Sequence, residues 1–235
     1  MISVIIPTYN EEKNIEKCLK SLLKQSLPRK EYEIIVVDGK SKDKTVKIAR
    51  KYADRVVQQK SKRVGGARND GVKLAKYNII ANTDADCIIP ENWLERIKQG
   101  FEDKQVVCVF GQQDPLEDNY KSRTKLKISN IGIQLLYYLN IYFTVGANVA
   151  FRKKPFLDIG GYKIYSAGDD IELPLRLKKK GRIVHDPKMR VFFSMRRYEE
   201  ENMILVLINW FLNILKSVYN VNIKVDDYNK KSYKN

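Results

Sequence analysis

The sequence predicts an α/β protein whose central sheet is mostly parallel, doubly wound and flanked by helices. Short apolar runs of strand length alternate with longer stretches in which apolar residues recur at helical spacing. Polar loops, several of them with glycine, follow the apolar runs. The 43% share of hydrophobic residues supports a real core, and no linker or repeat divides the 235 residues. We therefore expect one domain.

The first half of the chain predicts a regular alternation of strands and helices. Ile15, Cys18, Leu19 and Leu22 recur at helical spacing, and Asn10 is the expected N-cap of their helix. The predicted strands are Ser3–Pro7, Tyr32–Val37, Arg55–Gln58, the run that begins at Tyr77, and Val106–Gly111. The predicted helices are Glu11–Gln25, a helix that Asp43 or Ser41 caps and that ends at Tyr52, a helix that ends at Lys76, and Pro90–Phe101.

The character of the sequence changes after Gly111. Residues 120–127 are basic and polar, and Ile128–Phe143 is then strongly apolar and rich in tyrosine. A pair of glycines closes the short helix at Phe156–Tyr162. The remaining predicted elements are a strand at Gly146–Arg152, a helix that opens near Gly168 and ends at Lys180, strands at Arg182–Asp186 and Val191–Tyr198, and a final helix from Glu199 to about Val221.

Charge and cysteine content limit the classes of protein. The formal net charge of +16 favours anionic partners such as nucleic acid, an anionic membrane or phosphorylated substrates. The three cysteines stand far apart, so we expect no zinc site and a reducing cytoplasm. We interpret the lone histidine, His185, as a core or strand-end residue that Asp186 could pair with. No signal peptide and no membrane span is expected.

A metal site is predicted where a buried strand ends in Asp84-Ala85-Asp86. Ligands of parallel sheets bind beyond the carboxyl ends of the strands. Residues two apart on a strand point the same way, and two carboxylates aimed at one place repel unless a cation lies between them. A hard divalent cation that also carries a diphosphate fits this pattern. A solvated turn is the alternative.

Four polar loops are expected to meet at this edge of the sheet because each follows a predicted strand. Together they offer acids for a base and a ribose, glycines for close approach, and Lys62, Arg63 and Arg68 for phosphate. The cluster has the size of a nucleotide site. The loops are Thr8–Glu11, Asp38–Ser41, Gly65–Asn69 and Asp84–Asp86.

From Ser3 to about Tyr198 the chain resembles the inverting, nucleotide-sugar-dependent glycosyltransferases of family 2, which have the GT-A fold. The resemblance rests on the order and spacing of several motifs. They are Val4–Glu11, Ile35–Thr45, Gly66–Asn69, Thr83–Asp86, Gly146–Arg152, Gly160–Tyr162 and Gly168–Leu173. It implies a nucleotide-sugar-binding half at 1–111 and an acceptor-binding half at 112–198. An amphipathic helix at 199–223 and a polar tail at 224–235 complete the predicted organisation.

The resemblance also implies roles for individual residues. Asp86 would ligate Mn²⁺ or Mg²⁺ directly, and Asp84 would hold the ribose or a water bound to the metal. Asp38, beside Gly39, would accept a hydrogen bond from the base, with UDP favoured and GDP as the alternative. Asp170 matches the catalytic base of the family. Pro7, Thr8, Tyr9 and Glu11 would line the base and ribose, and Arg68 would approach the base or diphosphate. Arg196 and Arg197, near the place of a signature that this chain lacks, are expected to clamp phosphate instead.

The chain departs from the family pattern in three places. Lys40 stands where a serine is common, and Asp169 replaces a common glutamate beside Asp170. Phe193-Ser194 occupies the region where many members carry a histidine, so a third protein ligand for the metal is in doubt. The Gln-x-x-Arg-Trp signature of processive members is absent, and we expect transfer of one sugar per encounter.

Two apolar segments raise the question of where the acceptor is bound. Ile128–Phe143 and the final helix together exceed the apolar surface that a small domain usually exposes. They pack on the protein or across a homodimer, or they form a platform on an anionic membrane. The second interpretation predicts a peripheral enzyme on the inner face of the membrane that acts on a polyprenyl phosphate or a lipid-linked glycan.

Two other classes of function remain as alternatives. A basic nucleic-acid-binding protein would explain the charge, but the sequence contains no helix-turn-helix, zinc finger or RNP motif. A sugar-nucleotide pyrophosphorylase usually has a glycine-rich, basic loop after its first strand, whereas Pro7–Glu11 is acidic. We therefore expect no nucleic-acid partner.

Overall fold

One eight-stranded sheet runs through the part of the chain that the structure, a computed structural model, describes. That part is residues 1–117, 119–164, 169–195 and 212, with the backbone alone described at 169 and 170. The strands in chain order are β1 (Ile2–Thr8), β2 (Tyr32–Asp38), β3 (Arg55–Gln58), β4 (Ile79–Asn82), β5 (Cys87–Ile88), β6 (Val106–Pro115), β7 (Val149–Arg152) and β8 (Arg182–Phe193). Across the sheet their order is β3-β2-β1-β4-β7-β6-β8-β5.

The sheet is mixed, although most of its strands run in one direction. β1 to β4 are mutually parallel. β7 lies antiparallel between β4 and β6, and β8 is parallel to β6, so β6 and β8 point the same way as β4. The predicted α/β class is confirmed. Sequence alone misses the antiparallel insertion, because a strand buried on both faces reads as the same apolar run in either direction.

The prediction of two separate strands around Pro187 is wrong, because β8 continues through it. His185 pairs with Phe110 of β6, and Arg190 pairs with Gln112. Residues 186–189 therefore bulge out opposite the single residue Gly111. A proline is tolerated there because the bulge leaves the ladder, which then needs no N–H from this position.

Seven α-helices cover the two faces of the sheet within the described ranges. They are α1 (Ile15–Leu23), α2 (Thr45–Ala49), α3 (Arg63–Leu74), α4 (Trp93–Gly100), α5 (Tyr120–Tyr138), α6 (Lys153–Asp158) and α7 (Asp169–Leu177). α5 joins the basic and the apolar stretches that the sequence presents separately, and the side chain of Asn119 caps it by accepting from the Ser122 N–H at 2.8 Å. No helix in the described part of the chain is long and apolar enough to cross a bilayer.

The first helix starts later than predicted, and Asn10 does not cap it. Asn10 has a φ of 51°, which is left-handed backbone, whereas an N-cap residue needs extended backbone. The residues before α1 form a turn in which the carbonyl of Glu11 accepts from the N–H groups of Asn14 and Ile15. The Asn10 side chain serves the neighbouring loop instead.

Alternation along β1 explains why the sheet needs a helical layer on each side. Val4 and Ile6 belong to one core, together with the buried faces of α1 and α4, while Ile5 belongs to the other core. The second core is completed by apolar residues of α3, α6 and α7. Both faces of the central strands are therefore dry, which leaves the strand ends as the places where ligands can bind.

The buried side chain of Asn148 bridges β6 and β8 at the point where the two strands separate. The Asn148 Nδ2 group donates to the carbonyls of Gln112 and Met189 at 2.7 and 2.8 Å, and its Oδ1 accepts from Trp93 Nε1 at 2.8 Å. A Cβ at Gly111 would lie 1.8 Å from the Met189 carbonyl oxygen, so only glycine fits there. Asn148 thus satisfies carbonyl groups that the bulge would otherwise leave unpaired.

His185 is a core residue, as expected, but Asp186 pairs with Arg96 at 2.6 Å rather than with the imidazole. The ring stacks on Phe110 with centroids 4.9 Å apart. Burial lowers the pKa of His185, and the charge of Asp186 opposes part of that effect.

We expect His185 to make the fold sensitive to acid. Below about pH 6.5 the unfolded chain takes up a proton that the folded core resists, so the free energy of unfolding falls as the pH drops towards the lowered pKa. Urea unfolding at pH 7.5 and 5.5 should show a loss that is smaller in His185→Gln, by roughly 1 kcal/mol. An identical pH dependence in both proteins would contradict this assignment.

Several predicted features lie outside the described residues. They are Arg196, Arg197, the side chains of Asp169 and Asp170, the polar tail at 224–235, and the helix at 199–223 except for residue 212. The division into a nucleotide half and an acceptor half stays a prediction.

Candidate active site

The candidate site lies at the carboxyl ends of β1, β2 and β4, where the sequence places it. Thr8 at the end of β1 is in register with Asp38 at the end of β2, and Ile5 of β1 is in register with Asn82 at the end of β4. The loops that follow these strands therefore leave the sheet side by side. They carry most of the predicted site residues.

Reciprocal hydrogen bonds join the loop after β1 to the loop after β2. The Asn10 N–H donates to Ser41 Oγ at 2.8 Å, and the Lys42 N–H returns to Asn10 Oδ1 at 2.9 Å. The Glu11 N–H donates to Thr45 Oγ1 at 2.8 Å. The two loops thus form one wall of the site. Because they are already ordered, ligand binding does not include the entropic cost of ordering them.

Asp38 shapes its own loop as well as facing the site. One carboxylate oxygen accepts the N–H groups of Lys40 and Ser41 at 3.0 Å, and the other accepts Ser41 Oγ at 2.6 Å. The Gly39 N–H donates to the Thr8 carbonyl at 2.8 Å and links the two strand ends. A carboxylate has about four acceptor directions, so Asp38 keeps capacity for a base N–H.

The carboxyl end of β1 contains one buried polar atom that a ligand could bond to. Thr8 Oγ1 is buried and has no hydrogen-bond partner among the described residues. Pro7 and Tyr9 are half-buried beside it, and Glu11 is buried with its carboxylate accepting from Asn14 Nδ2 at 2.6 Å. A buried hydroxyl without a partner is costly, and a bound ribose or base could supply one.

Asp84 and Asp86 lie in a turn between β4 and β5, not on a strand. The strand ends at Asn82, and the Cys87 N–H donates to the Asp84 carbonyl at 3.2 Å. The expectation that strand alternation aligns the two carboxylates is therefore wrong, although their place beyond the strand end is as predicted. Turn geometry prevails because β4 ends with the apolar run, at Asn82, before either carboxylate is reached.

Both carboxylates lie close to the buried thiols of Cys18 and Cys87. Burial raises the pKa of the Cys18 thiol, and the charges of Asp86, Asp84 and Glu11 raise it further. Burial and then the charges of Asp84 and Asp86 likewise raise the pKa of Cys87. The thiols stay protonated, so this turn offers hard oxygen ligands and no thiolates.

The donor set fits Mn²⁺ or Mg²⁺ that a substrate helps to bind. Within residues 1–117, 119–164 and 171–195, no cluster of three or more His, Cys, Asp or Glu side chains is arranged to hold a metal. Two carboxylates with diphosphate oxygens and water are a usual ligand set for such an ion. Ser194, in the region where many family members have histidine, donates its hydroxyl to Glu117 at 2.7 Å.

Arg68 is a buried cation at the centre of the cluster rather than a solvated helix residue. Its side chain is 4% exposed, and its Nη2 lies 3.0 Å from Asp84 Oδ1. The guanidinium lies 5.7 Å from the centre of the Tyr162 ring. Its position is fixed by packing and charge together, which suits a group that must meet a diphosphate without rearrangement.

Three residues that hold Arg68 in place have no role in the sequence-based assignment. The Tyr162 N–H and carbonyl pair with the Asn69 side chain at 2.8 Å, and the Tyr162 hydroxyl accepts from Asn82 Nδ2 at 2.8 Å. The signal was present, since Gly160-Gly161-Tyr162 and Asn69 belong to the motifs of the resemblance. Their function in positioning is not evident from the sequence, because Tyr162 joins Asn69 of α3 to Asn82 of β4 and these segments lie far apart along the chain.

Gly146 provides the space that Arg68 occupies. A Cβ at this position would lie 2.6 Å from both Nη atoms of Arg68. Gly146→Ala is expected to lower the free energy of unfolding by about 1–3 kcal/mol, the usual cost of overpacking. Urea unfolding measures the change.

Gly132 in α5 supplies the matched control for that substitution. A Cβ at Gly132 meets no atom within 4 Å, so Gly132→Ala should be neutral or stabilising by about 0.5–1 kcal/mol. Equal effects of the two substitutions would show that the space around Arg68 is not tight.

The predicted catalytic base lies in the first turn of α7, which starts at Asp169 as expected. Glu172 of this helix forms an ion pair with Arg176. Arg176 also donates to the carbonyls of Ile159 and Gly161 at 2.6 and 2.8 Å. Arg176, in the last turn of α7, thereby anchors the helix to the segment that ends in Tyr162, whose ring lies near Arg68.

Comparison with known proteins places the chain in a family. The sequence profile of glycosyl transferase family 2 matches residues 3–160, so the chain belongs to this family. Glycosyltransferase AglE of Haloferax volcanii is 39% identical over 101 residues, which cover 40% of this chain and 33% of AglE. The chain thus matches about a third of that relative's length.

Two solved structures share the fold. A mannosyltransferase, PcManGT from Pyrobaculum calidifontis in complex with GDP-Man and Mn²⁺, superposes with a TM-score of 0.72 at 20% identity, over 94% of this chain and 65% of that one. S. aureus TarS 1–349 in complex with UDP-GlcNAc gives 0.69 at 21% identity, over 95% and 68%. The likeness confirms the GT-A class of fold.

Proposed function

We propose that the protein transfers one hexose from a nucleotide diphosphate sugar to an acceptor, with inversion at the anomeric carbon. The observation that carries the proposal is the ion pair between the buried Arg68 and the half-buried Asp84, next to the buried Asp86 at the carboxyl edge of the sheet. Family membership supports it over the nucleic-acid-binding and pyrophosphorylase alternatives.

The donor is proposed to bind across the loops after β1, β2 and β4. Pro7, Thr8, Tyr9 and Glu11 would line the base and ribose, with Thr8 Oγ1 gaining the partner that it lacks. Asp38 would accept the N–H of the base. UDP is favoured, as in the TarS complex, and GDP, which PcManGT carries, is the alternative because guanine also offers a ring N–H.

The leaving group is proposed to be stabilised by cations held on this chain. Asp86 and Asp84 would hold Mn²⁺ or Mg²⁺, which offsets the charge growing on the departing diphosphate. Arg68 adds a fixed positive charge next to Asp84, and Arg196 and Arg197 would add two more. The charge of Arg68 would act without reorganisation because its contacts with Asp84 and Tyr162 already hold it.

The acceptor is proposed to be deprotonated by Asp170 at the start of α7. A general base must face the anomeric carbon from the side opposite the leaving group, and one displacement from that side inverts the configuration. The helix N-terminus favours the ionised form of this carboxylate, whereas the charge of Asp169 disfavours it.

A panel of nucleotide sugars in a thermal-shift assay tests the proposal. A ligand that binds only the folded state raises stability by about 2.7 kcal/mol at a hundred times its Kd. UDP-sugars should raise Tm in the presence of Mn²⁺ and much less in EDTA. The absence of a shift with every UDP- and GDP-sugar would overturn the proposed donor class.

We also propose a peripheral position on the cytoplasmic face of an anionic membrane, with a lipid-linked acceptor. One face of α5 exposes a stripe of large apolar side chains, and the net charge of +16 favours anionic lipid. The stripe consists of Ile128, Ile131, Leu135, Tyr138 and Leu139, which are 49–70% exposed.

Flotation with anionic vesicles tests the membrane position. Leu135→Gln combined with Leu139→Gln should weaken flotation several-fold, whereas the same change at the exposed leucines Leu74 and Leu157 should not. A wild-type chain that fails to float at low salt, or that dimerises through the stripe, would contradict this position.

A further inference from the structure

A cavity of about 560 Å³ lies between α5 and the outer ends of β6 and β8. α5 contributes one wall, including Arg123, Lys127 and Gln134, and the strands contribute the other, including Arg190 and Phe192. Among the described residues, none of those assigned above to donor, metal or base lines it. The proposed function therefore leaves this space without a ligand.

The cavity lies at the same edge of the sheet as the candidate active site. β6 and β8 run in the same direction as β4, so their carboxyl ends lie at the same edge of the sheet as the turn that holds Asp86. Phe192 in the cavity wall pairs with Ile88, two residues after Asp86. A molecule in the cavity would thus lie at the edge that holds this turn, next to strands on the far side of β4 from β1 and β2.

The wall formed by α5 is cationic. Arg123 and Lys127 are both exposed and lie one helical turn apart, so their side chains share one face of the helix. Arg190 on the facing strand is engaged by the carboxylate of Asp114, which raises the pKa of the guanidinium. The charge of the described lining residues is thus positive, with the excess on the helix.

The remaining lining suits a saccharide more than an extended peptide or a lipid chain. Gln134 is half-buried, and its amide has no hydrogen-bond partner among the described residues. Gln112 offers a second amide, partly engaged by Arg190 Nη1 at 3.3 Å. Leu126, Ile131 and Phe192 supply apolar surface between these amides. Amide groups with apolar faces between them match sugar hydroxyls and C–H faces.

We propose that this cavity binds the acceptor, a saccharide that carries a phosphate or diphosphate. Arg123 and Lys127 hold the phosphate, because paired cations at this spacing make charge-assisted hydrogen bonds to its oxygens. The Gln134 amide and the apolar wall hold the sugar. The assignment rests on the proposed function, since it supplies the acceptor for that reaction.

The test titrates α-D-glucose 1-phosphate, with glucose as the uncharged control, into the full chain saturated with UDP and Mn²⁺. Side-chain amide signals of Gln112 and Gln134, followed by NMR, should shift with the phosphorylated sugar and not with glucose. Arg123→Gln with Lys127→Gln should raise Kd about 10-fold. Lys121→Gln with Lys125→Gln removes the same charge from α5 outside the cavity and should leave Kd within about 2-fold.

Two sources of the phosphate are separated by a second arm, in which N-acetylglucosaminyl diphosphopolyprenol is presented in neutral vesicles. Binding of both probes supports recognition of the phosphosaccharide itself, and binding of the vesicle probe alone supports a lipid-linked acceptor. Binding of neither, or equal weakening by the two double substitutions, would overturn the assignment.

Failure of the two proposals can be told apart. Nucleotide-sugar binding without any probe binding overturns the cavity assignment alone. Probe binding in a protein that binds no nucleotide sugar overturns the proposed function and, with it, the role of the cavity as an acceptor site.

Discussion

Asp86→Asn is expected to reduce sugar transfer and donor hydrolysis by about 10²-fold or more while the protein stays folded. The substitution keeps the shape of the side chain and removes the charge that would hold the divalent cation. Asp86 is buried in a turn next to the sheet edge, so the free energy of unfolding must be measured beside the rate, and a loss of rate in a protein that stays folded assigns the effect to catalysis. Initial rates at saturating Mn²⁺, together with urea unfolding, measure both.

Asp158→Asn is the matched control for that substitution. Asp158 is an exposed aspartate of α6 that pairs only loosely with Lys154, at 3.2 Å. Its replacement removes the same charge far from the turn and should leave the rate unchanged. Wild-type turnover in Asp86→Asn, or an equal loss in both variants, would remove Asp86 from the mechanism.

Asp170→Asn is expected to lower kcat by about 10²-fold or more with little change in the Kd of the nucleotide sugar. An amide cannot accept the proton of the acceptor hydroxyl, but it keeps the size of the carboxylate at the start of α7. Single-turnover rates at saturating donor, combined with donor titration by thermal shift, separate the two quantities.

Asp169→Asn tests whether position or charge explains that result. The two aspartates are neighbours in the same first helical turn, so both substitutions remove one charge from the same helix N-terminus. Only Asp170 is assigned as the base, and Asp169→Asn should change kcat by less than about 10-fold. A collapse of donor affinity with an intact kcat would make Asp170 a binding residue instead.

Most of the parallel half of the sheet could be predicted because its strands are short, mostly apolar and followed by polar residues. Ser3–Pro7 and Tyr32–Val37 were each predicted to within one residue at either end. The insertion of β7 could not, since direction is set by long-range pairing that leaves no periodic signal. The sequence indicated only the apolar part of α5, because the basic first turns of the helix lack an apolar stripe.

The candidate site, like the sheet, could be predicted from the sequence only in part. The place of Asp84 and Asp86 at the sheet edge could be predicted because they follow an apolar run of strand length, but the turn that they form depends on where β4 stops. Arg68 was predicted to approach the base or diphosphate, and its burial is evident only from the contact with Asp84 and the close approach of Gly146. Pairing between distant segments, such as Asn69 with Tyr162, is invisible to local sequence patterns.

Asn148 marks a boundary within the sheet. Its amide nitrogen donates to carbonyls of both β6 and β8, and its oxygen accepts from Trp93 of α4, so one side chain holds the point where the two strands part. Beyond this point the end of β8 pairs with β5, which directly follows the turn of Asp84 and Asp86. Under the proposed function, Asn148 would thus be the border between a donor-binding part of the sheet and an acceptor-binding part, with β5 as the connection through which a change in one part reaches the other.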